Sequence, residues 1–203
     1  MCSRYQTPDA LEMSRYFRAE LTQLPQFKPT IYPGYQTPAV INHQGQGTQV
    51  EARFWGFVLN LPGKRNPNQT VAKILQNAVS ETISEKRTFS KAWRDGQRCI
   101  LPATLFFEPI EGRFRGIHDP DHEILGLAGI YADQTHKEKL VKACTMLTCE
   151  PNAWMASFHD RMPVILHPRD FQEWLSPDTA PENAQRLCRP WTGKLALAAN
   201  QKN

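Results

Sequence analysis

Between residues 98 and 149 one short apolar stretch follows another, and no helix-length pattern separates them. Segments 98–101, 106–109, 114–117, 124–131 and 143–149 carry the aliphatic and aromatic residues of strands. Strands that succeed each other without a crossover helix pair antiparallel, because a parallel pairing needs a long connection. Two further strands are expected at 39–41 and 50–59, joined by a turn at Gly45 and Gly47. With no regular alternation of strand and helix, the pattern predicts an α+β fold. Its centre is a mostly antiparallel, curved or barrel-like β-sheet with flanking helices.

The helices are short. A first one is expected to start with Thr7 as N-cap and Pro8 at N1, burying Ala10, Met13 and Phe17 and fading before Pro25. Residues 25–38 read as extended, irregular chain, and 61–70 as a polar loop containing Pro62, Gly63 and Pro67. A helical zone at 80–95 ends before Gly96. A short helix at 151–158, a strand at 163–166 and helices at 168–175 and 181–188 follow.

With 203 residues the chain is long enough to bury a sizeable core, so a single domain spanning 1–203 and a monomer are expected. The longest apolar runs, such as 54–59, fall far short of a membrane span, and the start lacks the pattern of a secretory signal. Five cysteines at irregular spacing do not suggest a disulfide framework, so a cytoplasmic location is the expectation. A net charge of +4 permits contact with nucleic acid without demanding it, since no dense basic block is present.

Cys2 stands apart chemically. Once Met1 is removed, a single residue bears both a free α-amine and a thiol, the group that traps aldehydes. The amine condenses to an imine, and the thiol adds to the C=N carbon to close a thiazolidine ring. An α-amine with a pKa of about 7.7–8.0 is roughly 15% neutral at pH 7, against roughly 0.04% for a lysine. Ring closure is intramolecular, with an effective molarity of ~10⁵ M.

Four segments in order support this reading. Met1-Cys2-Ser3-Arg4-Tyr5 opens the chain, and Asn77-Ala78-Val79-Ser80-Glu81-Thr82 follows. Arg98-Cys99-Ile100-Leu101-Pro102-Ala103 precedes Phe106-Phe107-Glu108, and His159-Asp160-Arg161-Met162-Pro163-Val164 comes last. Together they resemble the SRAP family, the SOS-response-associated peptidases that process abasic sites. The resemblance spans residues 1 to about 175.

It implies one SRAP domain that binds single-stranded DNA containing abasic sites. Cys2 would link covalently to the ring-opened abasic aldehyde after removal of Met1, by the chain itself as the family name implies or by ordinary methionine removal, which the small residue at position 2 also allows. No metal and no cofactor enter this expectation. His159 is then the general acid/base, since imidazole titrates near neutrality. Glu108 would hold or deprotonate the N-terminal amine, or activate water for Met1 release. Asn77 would orient the terminus or the sugar, and Glu81 would brace the scaffold. For DNA binding the resemblance points to Arg4 as a phosphate clamp, to Arg161 as a second clamp or a loop lock, and to Trp55 as an aromatic facing bases.

The departures fall mainly on the DNA-facing side. Ser3 replaces the usual Gly, Val79 stands where the family often has an arginine, and Pro109 replaces a tryptophan. The segment around Ile31-Tyr32-Pro33 keeps little of the family pattern. The alternative reading is a catalytically silent module that only binds single-stranded DNA or another partner. A thiol protease built on Cys149 and His159 lacks any recognisable nucleophile motif, and Cys99, Cys144 and Cys188 read as core. His118 and His122 flank Pro120 in a turn, not on a metal-binding helix face.

Overall fold

A computed structural model describes residues 2–63 and 70–199. In chain order its first half holds β1 (Tyr5–Gln6), α1 (Ala10–Phe17), β2 (Glu20–Leu21), β3 (Thr30–Ile31), β4 (Gln36–His43), β5 (Gly47–Trp55), β6 (Phe57–Pro62), β7 (Thr70–Leu75) and β8 (Asn77–Val79). Next come α2 (Arg87–Arg94), β9 (Arg98–Ala103), β10 (Leu105–Ile110), β11 (Arg113–His118), β12 (Leu125–His136) and β13 (Lys139–Cys149). The last part holds α3 (Ala153–Ala156), β14 (Met162–Pro163), β15 (Ile165–Leu166), α4 (Phe171–Leu175), α5 (Pro181–Leu187) and β16 (Ala196–Leu197).

Five strands close on themselves. β5 pairs β4, β4 pairs β9, β9 pairs β12 and β12 pairs β13, all antiparallel. β13 then returns to β5 in parallel, with Ala143 opposite Phe54 and Cys144 opposite Trp55. Closure gives these strands hydrogen-bonding partners on both sides. β8 runs parallel to the far half of β13, while β14 and β15 add to β13 and β12. A second sheet, ordered β16-β11-β10-β1-β3, is antiparallel throughout and carries the amino terminus. The α+β fold on a mostly antiparallel, barrel-like sheet is therefore borne out.

Composition explains the closure. Val40, Ile100, Leu101, Leu127, Ile130, Cys144 and Met146 are fully buried, and each large aliphatic among them contributes about 1.5–3 kcal/mol on burial. In β12 the run Leu-Gly-Leu-Ala-Gly-Ile is buried on both faces, so its pattern is continuous rather than alternating. Gly129 is there because a Cβ would lie 2.8 Å from the Thr145 carbonyl oxygen of β13. Arg98 of β9 is also buried. It donates to the carbonyls of Trp174, Ser176 and Thr179 at 2.7–2.9 Å and ties the barrel to the C-terminal helices.

Local structure differs from expectation in four places. Asp9, not Thr7, caps α1: Asp9 Oδ1 accepts from the Glu12 amide at 2.9 Å, and Glu12 Oε2 accepts from the Asp9 amide at 3.0 Å. The 50–59 strand breaks at Gly56, whose φ of +129° reverses the chain direction out of β5. The polar stretch 61–70 belongs partly to a hairpin, since β6 and β7 pair from Phe57–Leu75 to Pro62–Thr70; residues 64–69 lie outside the described residues. The 80–95 zone is not continuous helix but a 3₁₀ turn at Ser80–Thr82 and then α2. No helix among the described residues is long and apolar enough to cross a membrane.

Candidate active site at the amino terminus

β1 is the device that positions Cys2. Tyr5 is paired on one side with Phe106 and on the other with Ile31, and the Phe107 amide donates to the Arg4 carbonyl at 3.0 Å. The residues ahead of Tyr5 are thereby laid along β10 toward Glu108. Cys2 is fully buried, and its thiol donates to the Arg4 carbonyl oxygen at 3.3 Å. Asn77, at the start of β8, donates from Nδ2 to the Cys2 carbonyl at 2.8 Å. Asn77 reaches that point because β8 runs in register with β13, Asn77 opposite Met146.

Strand alternation puts Phe106 and Glu108 on the buried side of β10 and Phe107 on the other. The Glu108 carboxyl is fully buried, and burial pushes its pKa up to about 7. The Cys2 thiol is pushed up to about 12, by burial first and by the negative charge of Glu108 second. His159 Nε2 lies 3.8 Å from Glu108 Oε2. Burial lowers the His159 pKa, and Asp160 opposes that effect.

The turn after α3 holds the imidazole. Asn152 caps α3 by accepting from the Met155 amide at 2.9 Å, and the His159 amide donates to the Met155 carbonyl at 2.9 Å. The Arg161 amide donates to His159 Nδ1 at 3.0 Å, while Asp160 Oδ1 lies 2.8 Å from the same nitrogen. Neutral Nδ1 cannot serve both as acceptor and as donor. The amide proton is fixed, whereas the Asp160 side chain is 87% exposed and free to turn into water. The neutral ring therefore carries its proton on Nε2, facing Glu108.

Four of the seven expected site residues thus converge: Cys2, Asn77, Glu108 and His159. Arg161 sits beside them and is bound to the protein. Its guanidinium grips Glu81 at 3.0 and 2.6 Å and donates to the Thr148 carbonyl at 2.8 Å. Burial alone would raise the Glu81 carboxyl; hydrogen bonds and charge from Arg161 outweigh that and hold it below its ordinary value. Glu81 therefore braces the scaffold, and Arg161 locks the histidine turn.

Trp55 requires a correction. It is 0% exposed, donates from Nε1 to the Gln76 carbonyl at 2.9 Å and meets Tyr5 edge-on with ring centroids 5.0 Å apart. It packs under β1 and offers no face to a base. Arg4 is placed differently. Its guanidinium lies over the rings of Phe107 and Phe114, 4.5 and 4.6 Å from their centroids, and donates to the Tyr32 hydroxyl at 3.4 Å. The aromatic partners of Arg4 were missed in the sequence. Alternation along β10 could have placed Phe107, but Phe114 needs the hairpin register that sets it opposite Pro109.

Elsewhere, Cys149 is buried with its thiol pushed up to about 12, which leaves it inert. Asp119 holds its turn by accepting from the Asp121 amide and from Trp191 Nε1, at 2.8 and 2.9 Å. Among the described residues no cluster of His, Cys, Asp and Glu is arranged for a metal.

A closed barrel beside a second sheet whose strand β1 lays a cysteine against a buried carboxylate and an imidazole defines a class of α+β proteins with these groups gathered at the amino terminus. The chain belongs to the SRAP family: the family's sequence profile, described as SOS response associated peptidase, matches residues 1–201. The Abasic site processing protein YoaM of Bacillus subtilis is 32% identical over 168 residues, 79% of this chain and 71% of that protein. The Abasic site processing protein YoqW of Bacillus phage SPbeta is likewise 32% identical, over 79% of this chain and 72% of that protein. A solved structure from Bordetella bronchiseptica superposes with a TM-score of 0.82 at 25% identity, covering 99% of this chain and 100% of that one. One from Bacteroides thetaiotaomicron shares the fold, with a TM-score of 0.80 at 19% identity over 98% and 93% of the two chains.

Proposed function

We propose that this chain processes abasic sites in single-stranded DNA in the DNA damage response, becoming covalently attached through Cys2. The observation that carries the reading is the convergence of Asn77, Glu108 and His159 on Cys2. The relatives' names supply the substrate class, and a ring-opened abasic sugar is the aldehyde that an N-terminal aminothiol traps.

Removal of Met1 comes first. Water adds to the Met1 carbonyl, the amide C–N bond breaks, and a proton passes to the new α-amine of Cys2. Glu108 is the base for that water, and with a pKa of about 7 it is ionised in about half of the molecules at pH 7. The amine then attacks the aldehyde, and the carbinolamine loses water to give an iminium ion. Glu108 takes a proton from the α-ammonium and passes it to the departing hydroxyl, which leaves as water and returns Glu108 to its carboxylate form, while the Nε2 proton of His159 faces the same carboxylate. Asn77 holds the Cys2 carbonyl and so fixes the direction of the amine.

A thiol with a pKa of about 12 is thiolate in only on the order of 10⁻⁵ of molecules at pH 7. Sulfur therefore follows nitrogen: the iminium forms first, and the thiol adds as its proton leaves to Glu108. The net change is one C–N and one C–S bond formed and one water released. Arg4 clamps the phosphate next to the lesion. The Phe107 and Phe114 rings hold the guanidinium in place, and its N–H donors meet the anion.

The test is a denaturing gel of purified protein with an abasic single-stranded oligonucleotide. A heat-stable shifted band is expected, absent in Cys2→Ala and absent with intact DNA. No band from protein shown by mass spectrometry to begin at Cys2 would defeat the reading. The burial of Cys2 favours one rival, a silent DNA-binding module, which would bind the oligonucleotide and leave it unmodified. His159→Gln is expected to slow formation or reversal of the link by roughly 100-fold or more while leaving DNA affinity in place.

A further inference from the structure

The clamp residue Arg4 is one end of a longer contact chain. Its guanidinium reaches the Tyr32 hydroxyl, the Tyr32 ring meets Tyr35 with centroids 5.6 Å apart, and Lys28 Nζ sits 4.6 Å from the Tyr35 centroid. The two tyrosine rings cross at 61°, edge-on rather than stacked. They remain 39% and 38% exposed, and Phe114 beside Arg4 is 48% exposed. Exposed aromatics in contact with one another form a patch of the kind that marks an interaction site, which scattered ones do not.

A cavity lies at each end of the chain. The one at Arg4, about 180 Å³, is walled by Thr30, Tyr32, Phe107, Phe114 and the backbone or side chain of Arg115. The one at Lys28, about 390 Å³, is walled by Pro25, Phe27 and Tyr35. No Asp or Glu lines either. Aromatic rings interleaved with cations and free of carboxylates match the chemistry of unpaired nucleotides. Bases stack on any aromatic face, while phosphates seek Lys and Arg.

We propose that Tyr32 and Tyr35 form a stacking track for the bases that flank the lesion on one side, with Arg4 and Lys28 holding phosphates at its two ends. The single strand then leaves Cys2 across β3 and the start of β4. The inference rests on the reading of Cys2 as the point of attachment to DNA, and it adds the path of the strand. It also explains how a chain with Val79 and Pro109 at family contact positions keeps a grip on DNA.

The experiment is equilibrium binding, by fluorescence anisotropy, of intact single-stranded oligonucleotides to Cys2→Ala protein, so that no covalent step enters. Tyr32→Leu with Tyr35→Leu is expected to weaken binding by roughly 10- to 100-fold. Tyr32→Phe with Tyr35→Phe should bind within about threefold of wild type, because the π-face is kept. Shortening the oligonucleotide on one side only should weaken the parent protein and leave the Leu variant indifferent. In Tyr35→Trp, strand binding should quench the indole, a readout independent of the Leu variants' stability. Unchanged affinity in the Leu variant, equal loss in the Phe variant, or an unquenched indole would each overturn the track. A failure to crosslink, with these affinities as expected, would count against the covalent chemistry and not against the track.

Discussion

Replacing Glu108 by Gln removes an acid that the folded chain holds protonated well past the point where an unfolded chain gives its proton up. A carboxyl with an ordinary value of 4.5 titrates here at about 7. Between those pH values the native state binds the proton and the unfolded state does not, so unfolding free energy falls as pH rises through the window. The whole effect is about 3 kcal/mol, present as a cost above pH 7 and absent below about 4.5. Glu108→Gln should therefore be more stable than the parent at pH 8 by up to that amount and equal to it near pH 4. Urea denaturation at both values checks this, and a difference independent of pH would refute it. The same variant should crosslink at least ~100-fold more slowly, and its rate should lose the step near pH 7. Glu108 was legible in the sequence through the family motif, as the carboxylate that ends Phe106-Phe107-Glu108. Trp55 was not, since an aromatic on a strand reads alike whether it faces a core or a ligand.

The turn from His159 to Arg161 and the 3₁₀ turn at Ser80–Thr82 are separate elements joined by one bidentate ion pair. Glu81 is partly exposed, so solvent screens the pair and its loss should cost only about 1 kcal/mol of stability. Its larger effect is on geometry, because Arg161 also supplies the amide that orients His159. Glu81→Ala should lower the crosslinking rate several-fold with DNA affinity kept. An unchanged rate would make the brace irrelevant to the site. Gly56 is the other element-scale control point. A Cβ there would lie 2.2 Å from Ile74 Cγ2, at a φ that side chains avoid. Gly56→Ala should cost about 2–3 kcal/mol in chemical denaturation. Boundaries of this kind escaped the sequence reading: Gly56 sits inside an apolar run that looks like one strand, and Pro62 with Gly63 looks like loop although β6 continues to Pro62. The start of α1 was closer, since Asp9, in a reciprocal cap with Glu12, lies two residues from the expected Thr7.

At the scale of the whole molecule, the succession of strands disclosed the antiparallel barrel wall but not its closure. The parallel seam joins residues 54–55 to 143–144, and nothing local in either segment marks the other as a partner. Trp55 lies at this seam, its backbone paired with Cys144 and its ring against Tyr5. Trp55→Ala should destabilise the fold by about 3–5 kcal/mol and loosen β1 with it. Hydrogen exchange at Tyr5 and Phe106 would report that loosening, and protection unchanged from the parent would count against the coupling.

The anchoring of Tyr5 between β10 and β3 has a mechanical corollary. Only residues 2–4 lie between that anchor and the nucleophile's backbone nitrogen, a leash of about 10 Å at full stretch. The warhead cannot be cast outward to search for damage. Under the proposed function, the nucleic acid must instead be bent, or its lesion turned out of line, until the sugar arrives at a stationary trap.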